Sequence, residues 1–137
     1  MGEKQADISE SLLKRRQNRR ERVNLLRGRL DLLTGKDRIL MIMYLENGNS
    51  IRQIARLSGT SESNIARKIR RLTERLINGR YIICLRNRDK FTYDEMAVAK
   101  DYFLTGLSIK KIAAKRHWTY YRARKTIRNI RRIIKNS

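Results

Sequence analysis

Residues 44–76 read YLENGNSIRQIARLSGTSESNIARKIRRLTERL, and residues 102–133 repeat the same order of features as YFLTGLSIKKIAAKRHWTYYRARKTIRNIRRI. Gly48 aligns with Gly106, and the same constant offset aligns the rest of the two stretches. Because capping residues and apolar positions recur together, the sequence predicts a structural duplication. The aligned pairs are Tyr44 with Tyr102, Ser50 with Ser108, Ile54 with Ile112, Ala55 with Ala113, Ser61 with Thr119, and Ile69 with Ile127.

The first copy predicts three helices. Asp37 is expected to cap the first of them, and Ser50 with Gln53 forms a capping box that opens a short helix over residues 51–58. Gly59 marks a tight turn, and Ser61 caps a longer helix that ends at residues 78–79. The last two helices therefore form a helix-turn-helix.

The second copy repeats this plan. Thr92 with Glu95 is another capping box, a short helix is expected over residues 109–116, and Thr119 caps a final helix to about Lys135. The sequence thus predicts a mainly all-α fold with two tandem trihelical helix-turn-helix units.

Two segments lie outside the repeat. Residues 1–36 predict a polar tail and a basic helix from about Ser9 to Leu33, whose second half alone carries an apolar seam. That apolar seam makes a homodimer through the N-terminal helix one possible interaction. Residues 80–93 begin with the apolar run YIICL at 81–85, which favours a small β-hairpin "wing" over an ordered linker. The expected segments are 1–36, 37–79, 80–91 and 92–137.

Composition indicates the class of partner. Lys and Arg number 34 against 13 acidic residues, a formal net charge of +21. A chain this basic repels itself unless a polyanion neutralises it, and nucleic acid is the commonest such partner. The charge is uneven, with net +11 over residues 81–137 against +5 over residues 37–80.

Several classes of protein are not expected. One Cys and one His supply neither a disulfide framework nor an ordinary zinc cluster. No apolar run approaches the ~18 residues of a membrane span, and residues 1–17 lack the apolar core of a secretory signal. No catalytic set emerges, so we expect neither an enzyme, nor a cofactor or metal, nor a membrane partner. The expected location is cytoplasmic and nucleoid-associated.

The candidate DNA-binding residues lie opposite the apolar stripe of the longer helix in each copy. Arg, Asn and Ser in this position suit contacts with base edges, while Lys and Arg neutralise phosphates. In the first copy they are Ser63, Asn64, Arg67, Arg70 and Arg71, and in the second they are Tyr121, Arg122, Lys125, Arg128, Asn129 and Arg132.

Both copies resemble the promoter-reading C-terminal region (region 4) of bacterial sigma factors, and helix-turn-helix regulators more broadly. The resemblance covers about two-thirds of the chain. It implies a trihelical unit whose last helix enters the DNA major groove, and it leaves RNA polymerase open as a second partner. Two tandem units depart from the sigma-factor pattern, and nothing in the chain resembles the separate promoter-melting region.

The sequence therefore predicts a double-stranded DNA-binding transcription regulator. Two alternatives stay open: the DNA-binding arm of a recombinase or transposase, and a nonspecific nucleoid or RNA-binding architectural protein. Among single residues, Trp118 is expected to pack against Ala123, and His117 to take the turn position of Gly59. Cys84 is expected to be buried and inert.

Overall fold

The computed structural model describes residues 2–136, with side chains from residue 10 onward, and every element in that range is helical. The fold is therefore all-α, as predicted. The elements are α1 (Gly2–Arg29), a 3-10 turn (Leu30–Leu32), α2 (Gly35–Leu45), α3 (Ile51–Ser58), α4 (Glu62–Asn78), α5 (Arg80–Arg86), a 3-10 turn (Arg88–Lys90), α6 (Tyr93–Ala99), a π-helical turn (Lys100–Thr105), α7 (Ile109–Arg116) and α8 (Tyr120–Lys135).

The chain forms two compact units, residues 1–69 and 70–137. The division falls inside α4, so this helix begins in the first unit and ends in the second. In the first unit, α2 packs against α3 and against the 3-10 turn that follows α1. Its buried residues are Leu26, Leu30, Leu33, Leu40, Met41, Ile54, Ala55, Ile65 and Ile69.

The second unit has its own core beneath α8. Helix α8 packs against α5, α6 and α7. The buried residues of this core are Cys84, Val98, Ala99, Phe103, Ile112, Ala113, Ala123, Ile127 and Ile130. One face of α8 packs against this core, and its opposite face is exposed.

The structure confirms the duplication at the level of backbone conformation. Helices α3 and α7 both have eight residues, and their caps Ser50 and Ser108 accept hydrogen bonds from the backbone N–H three residues on. Ser61 and Thr119 do the same for α4 and α8. The first helices also correspond, because the offset that aligns the two copies pairs the first residue of α2 with the first residue of α6.

The predicted β-hairpin over residues 80–93 is wrong. These residues form α5 and a 3-10 turn, and no strand occurs in residues 2–136. Tyr81 and Cys84, three residues apart, both pack into the core of the second unit. That burial requires the helical period, and it overrides the preference of β-branched and aromatic residues for strands. Asn87 ends α5, where its side-chain amide donates to the Ile83 carbonyl at 2.8 Å.

Two predicted helix starts are also wrong. The N-terminal helix begins at Gly2 rather than near Ser9, and it gives way to a 3-10 turn at Leu30. Helix α2 begins after Thr34, so Asp37 lies in its first turn and is not the cap. Its carboxylate instead pairs with Lys68 of α4 at 3.2 Å.

The turn between paired helices uses the left-handed backbone region in both copies. Gly59 has φ 67° and His117 has φ 57°, and His117 is the only non-glycine residue with positive φ in the described chain. Glycine enters this region without steric cost, whereas histidine is one of the residue types that tolerate it. The prediction that His117 takes the place of Gly59 is therefore confirmed.

We expect Gly59→Val to destabilise the protein more than Gly48→Ala. A Cβ atom added at either glycine would meet no heavy atom within 4 Å apart from the adjoining residues, so backbone conformation sets most of the cost. We expect a loss of about 2 kcal/mol for the β-branched residue and about 1 kcal/mol for alanine. Urea unfolding of both variants measures this, with His117→Gly as a control expected within about 1 kcal/mol of wild type. Equal losses at the two glycines would contradict the expectation.

Candidate nucleic-acid interface

Helix α4 exposes all five of the side chains that the sequence predicted for it. Ser63, Asn64 and Arg67 lie in the part of α4 that belongs to the first unit, and Arg70 and Arg71 begin the second unit. The backbone N–H of Asn64 is already satisfied by the Ser61 cap at 3.1 Å, and the Asn64 amide donates to the Thr60 hydroxyl at 3.3 Å. Asn64 is thus held beside the turn that precedes α4.

Helix α8 carries the highest net positive charge of any described helix. It contains seven Lys and Arg residues and no acidic residue over Tyr120–Lys135. Four of these cations line a groove of about 440 Å³ on the outer side of the second unit. The lining residues are Glu95, Tyr121, Arg124, Lys125, Thr126, Arg128, Asn129 and Arg132. The structure therefore brings together five of the six predicted residues of the second copy.

Asn129 is less exposed than the other four predicted residues that line this groove. Its amide nitrogen donates to the Glu95 carboxylate at 2.7 Å, and the side chain is half-buried. The other carboxylate oxygen of Glu95 accepts from the Thr92 backbone N–H at 2.9 Å. Glu95 thus restrains Asn129, and a base contact by Asn129 stays a prediction. Sequence reasoning identified Glu95 only as a helix cap, because a contact between residues so far apart in the chain leaves no local signal.

Arg122, the sixth predicted residue, lies against an aromatic ring. Its guanidinium is 4.0 Å from the centre of the Trp118 indole, and that of Arg116 is 5.8 Å from the same centre. Trp118 also packs against the core cluster to which Ala123 belongs, and the predicted direct contact with Ala123 stays a prediction. The indole therefore fixes Arg122 at the start of α8 through a cation–π contact.

A buried carboxylate fastens α7 to the preceding π-helical turn. Asp101 is 6% exposed and accepts from Lys115 at 2.9 Å and from Arg116 at 3.1 Å. Its backbone carbonyl also accepts from the Leu107 N–H at 2.9 Å. Because Arg116 also lies over the Trp118 ring, this ion pair supports the turn that orients α8. No sequence pattern indicated it, since the matching residue of the first copy is Met43.

The N-terminal helix presents a second basic surface. From Glu10 to Arg22 every side chain is exposed, and this stretch holds six cations and two carboxylates. The exposed leucines Leu12 and Leu13 lie at its start. Nothing in the described residues covers this part of α1.

Cys84 is buried in the second unit, as predicted. Burial raises the pKa of its thiol to about 11, so the thiol stays protonated at neutral pH. Burial and the nearby Cys84 also raise the pKa of Tyr81. In the described residues no three His, Cys, Asp or Glu side chains group as metal ligands. No helix among them has the length and apolar character that crossing a membrane requires.

No protein-family model, curated protein or solved structure significantly matches this chain.

Proposed function

We propose that the protein is a double-stranded DNA-binding transcription regulator that inserts α4 and α8 into the major groove. The observation that carries the proposal is the charge of α8, which has seven cations and no acidic residue, and four of these cations line a groove on its outer face. Like charges on such a face repel one another unless a polyanion neutralises them. The major groove of DNA is wide enough to admit an α-helix. The same backbone turn precedes α4 and α8, which gives two helices in the same local setting.

The two helices divide the work. Helix α4 has five cations, two carboxylates and the polar residues Ser63 and Asn64 near its start, where base edges are reached. Helix α8 has a denser and wholly positive charge, which suits phosphates. We therefore assign base reading mainly to α4 and electrostatic anchoring to α8.

Alanine variants test this assignment. Arg128→Ala should weaken binding to every duplex alike and reduce the salt slope by about one, since a phosphate contact carries no sequence information. Arg67→Ala or Asn64→Ala should cost ~1–3 kcal/mol on the preferred duplex and less on a scrambled one. The preferred duplex is first found by selecting bound sites from random DNA. Fluorescence anisotropy across a salt series measures each variant.

The matched control is Arg88→Ala, which removes an exposed arginine from the 3-10 turn after α5. If Arg67→Ala and Asn64→Ala lose equal free energy on both duplexes, α4 is not the reader. If selection returns no motif, the second candidate function, a nonspecific architectural protein, replaces the first. The long exposed basic stretch of α1 favours that candidate, because its six cations suit contacts with phosphates, which carry no sequence information.

A further inference from the structure

The first unit contains an apolar groove on its surface, and no other described side chain covers it. The groove measures about 390 Å³ and lies between α2, the turn after α3, and the first half of α4. One of its walls is Ile39, which is 60% exposed although it is apolar. The lining residues are Lys36, Ile39, Leu40, Met43, Ser58, Thr60, Asn64, Ile65 and Lys68.

The second copy carries larger side chains at positions that correspond to three of the lining residues. At the offset that aligns the two copies, Thr60 corresponds to Trp118, and the flanking Ser58 and Asn64 correspond to Arg116 and Arg122. In the second unit the indole of Trp118 packs on the core and the two guanidinium groups lie over it. The first copy has small polar residues at all three positions, and a groove is present there.

The duplication thus indicates which chemical group fits the groove. The fold accommodates an indole at this position in one copy, and the other copy lacks that indole but keeps an apolar floor of Leu40 and Ile65. Aromatic side chains inserted in a pocket are the usual anchors of protein interfaces. A groove of this volume is near the lower end of the ~300–1,000 Å³ of small-ligand sites, enough for one large side chain.

The charge of the residues that line the groove indicates which residues would flank the aromatic side chain of a partner. Lys36 and Lys68 stand at the rim of the groove, and the chain carries a net charge of +21. Lys68 is paired with the Asp37 carboxylate at 3.2 Å, so Lys36 supplies most of the positive charge at this rim. Acidic residues around the aromatic anchor would complement this rim and accelerate association.

We propose that this groove is a docking site for a tryptophan side chain within an acidic segment of a partner protein. The inference stands on the repeat and on the groove, and it does not require that the protein binds DNA.

A labelled nine-residue peptide with a central Trp among Glu, Asp and Leu residues tests the proposal. We expect it to bind the full chain at least about tenfold more tightly than the same peptide with Ala in place of Trp, a difference of ~1.4 kcal/mol. Equal binding of the two peptides would mean that charge alone holds them, and it would overturn the proposal.

Two variants of the protein locate the site. Thr60→Trp supplies the residue of the second copy and should fill the groove, so that peptide affinity falls at least about tenfold. Ile39→Glu places a repelling carboxylate on an exposed wall and should have the same effect without disturbing the core. Leu57→Glu is the matched control, since Leu57 is 70% exposed and does not line the groove. Undiminished peptide binding by Ile39→Glu, or an equal loss in Leu57→Glu, would overturn the proposal.

Duplex binding by the same variants separates this proposal from the proposed function. If Ile39→Glu loses duplex affinity but keeps peptide affinity, the groove serves DNA and the docking proposal fails. If no variant or wild-type protein binds duplex while the peptide result holds, the proposed function fails and the docking site stands.

Discussion

Raising the salt concentration from about 50 to about 200 mM should weaken duplex binding by ~10³–10⁵, if phosphate contacts number on the order of 6–10. The reason is release of the cations condensed on DNA when Lys and Arg neutralise its phosphates. The chain has a net charge of +21, and α8 alone carries seven cations. Fluorescence anisotropy with a labelled duplex at several salt concentrations measures the slope. A flat response would contradict the electrostatic account.

The N-terminal helix provides a second arm of this experiment. Replacing the five arginines of the exposed stretch Glu10–Arg22 of α1 by Gln should reduce the slope by about 0.9 for each phosphate they contact. These residues are Arg15, Arg16, Arg19, Arg20 and Arg22. None packs in a core, so the thermal melt should stay unchanged. An unchanged slope would restrict the interface to the two helix-turn-helix units.

The largest expected loss of stability follows from removal of the buried carboxylate. Asp101→Ala should lower the free energy of unfolding by about 3 kcal/mol, because it leaves the mostly buried guanidinium of Arg116 without a counter-charge. The side chain of Arg116 is only 20% exposed, whereas that of Lys115 is 56% exposed. Lys115→Ala should therefore cost less than about 1 kcal/mol. Urea unfolding measures both variants.

The first copy supplies the control for this prediction. At the three corresponding positions it carries Met43, Leu57 and Ser58, so that no ion pair is needed there. The triple variant Asp101→Met, Lys115→Leu, Arg116→Ser should regain most of the loss, since apolar packing often replaces a buried ion pair at little cost. If Asp101→Ala costs less than about 1 kcal/mol, or if the triple variant is no more stable than Asp101→Ala, the ion pair is not what fastens α7.

Local patterns predicted most helix ends and the core positions of the repeat. Ser50, Thr92 and Thr119 cap helices as expected, because the cap and its backbone donor lie three residues apart and need no tertiary contact. Ile54 and Ala55, with their counterparts Ile112 and Ala113, are buried as expected. The helical spacing of the apolar residues was enough to predict this burial, since one face of a short helix must pack against the core.

The sequence by itself determined the all-α class, the duplication and the exposed basic faces, because these depend on residues close together in the chain. Tertiary structure decided the rest. Residues 80–86 became helix because Tyr81 and Cys84 had to reach one core together. Asn129 donates a hydrogen bond to Glu95, and Arg122 makes a cation–π contact with Trp118. Lys115 and Arg116 form ion pairs with Asp101. Each of these contacts joins different elements or depends on packing that exists only in the folded chain. Such contacts produce no regular spacing of residues, so no sequence pattern indicates them.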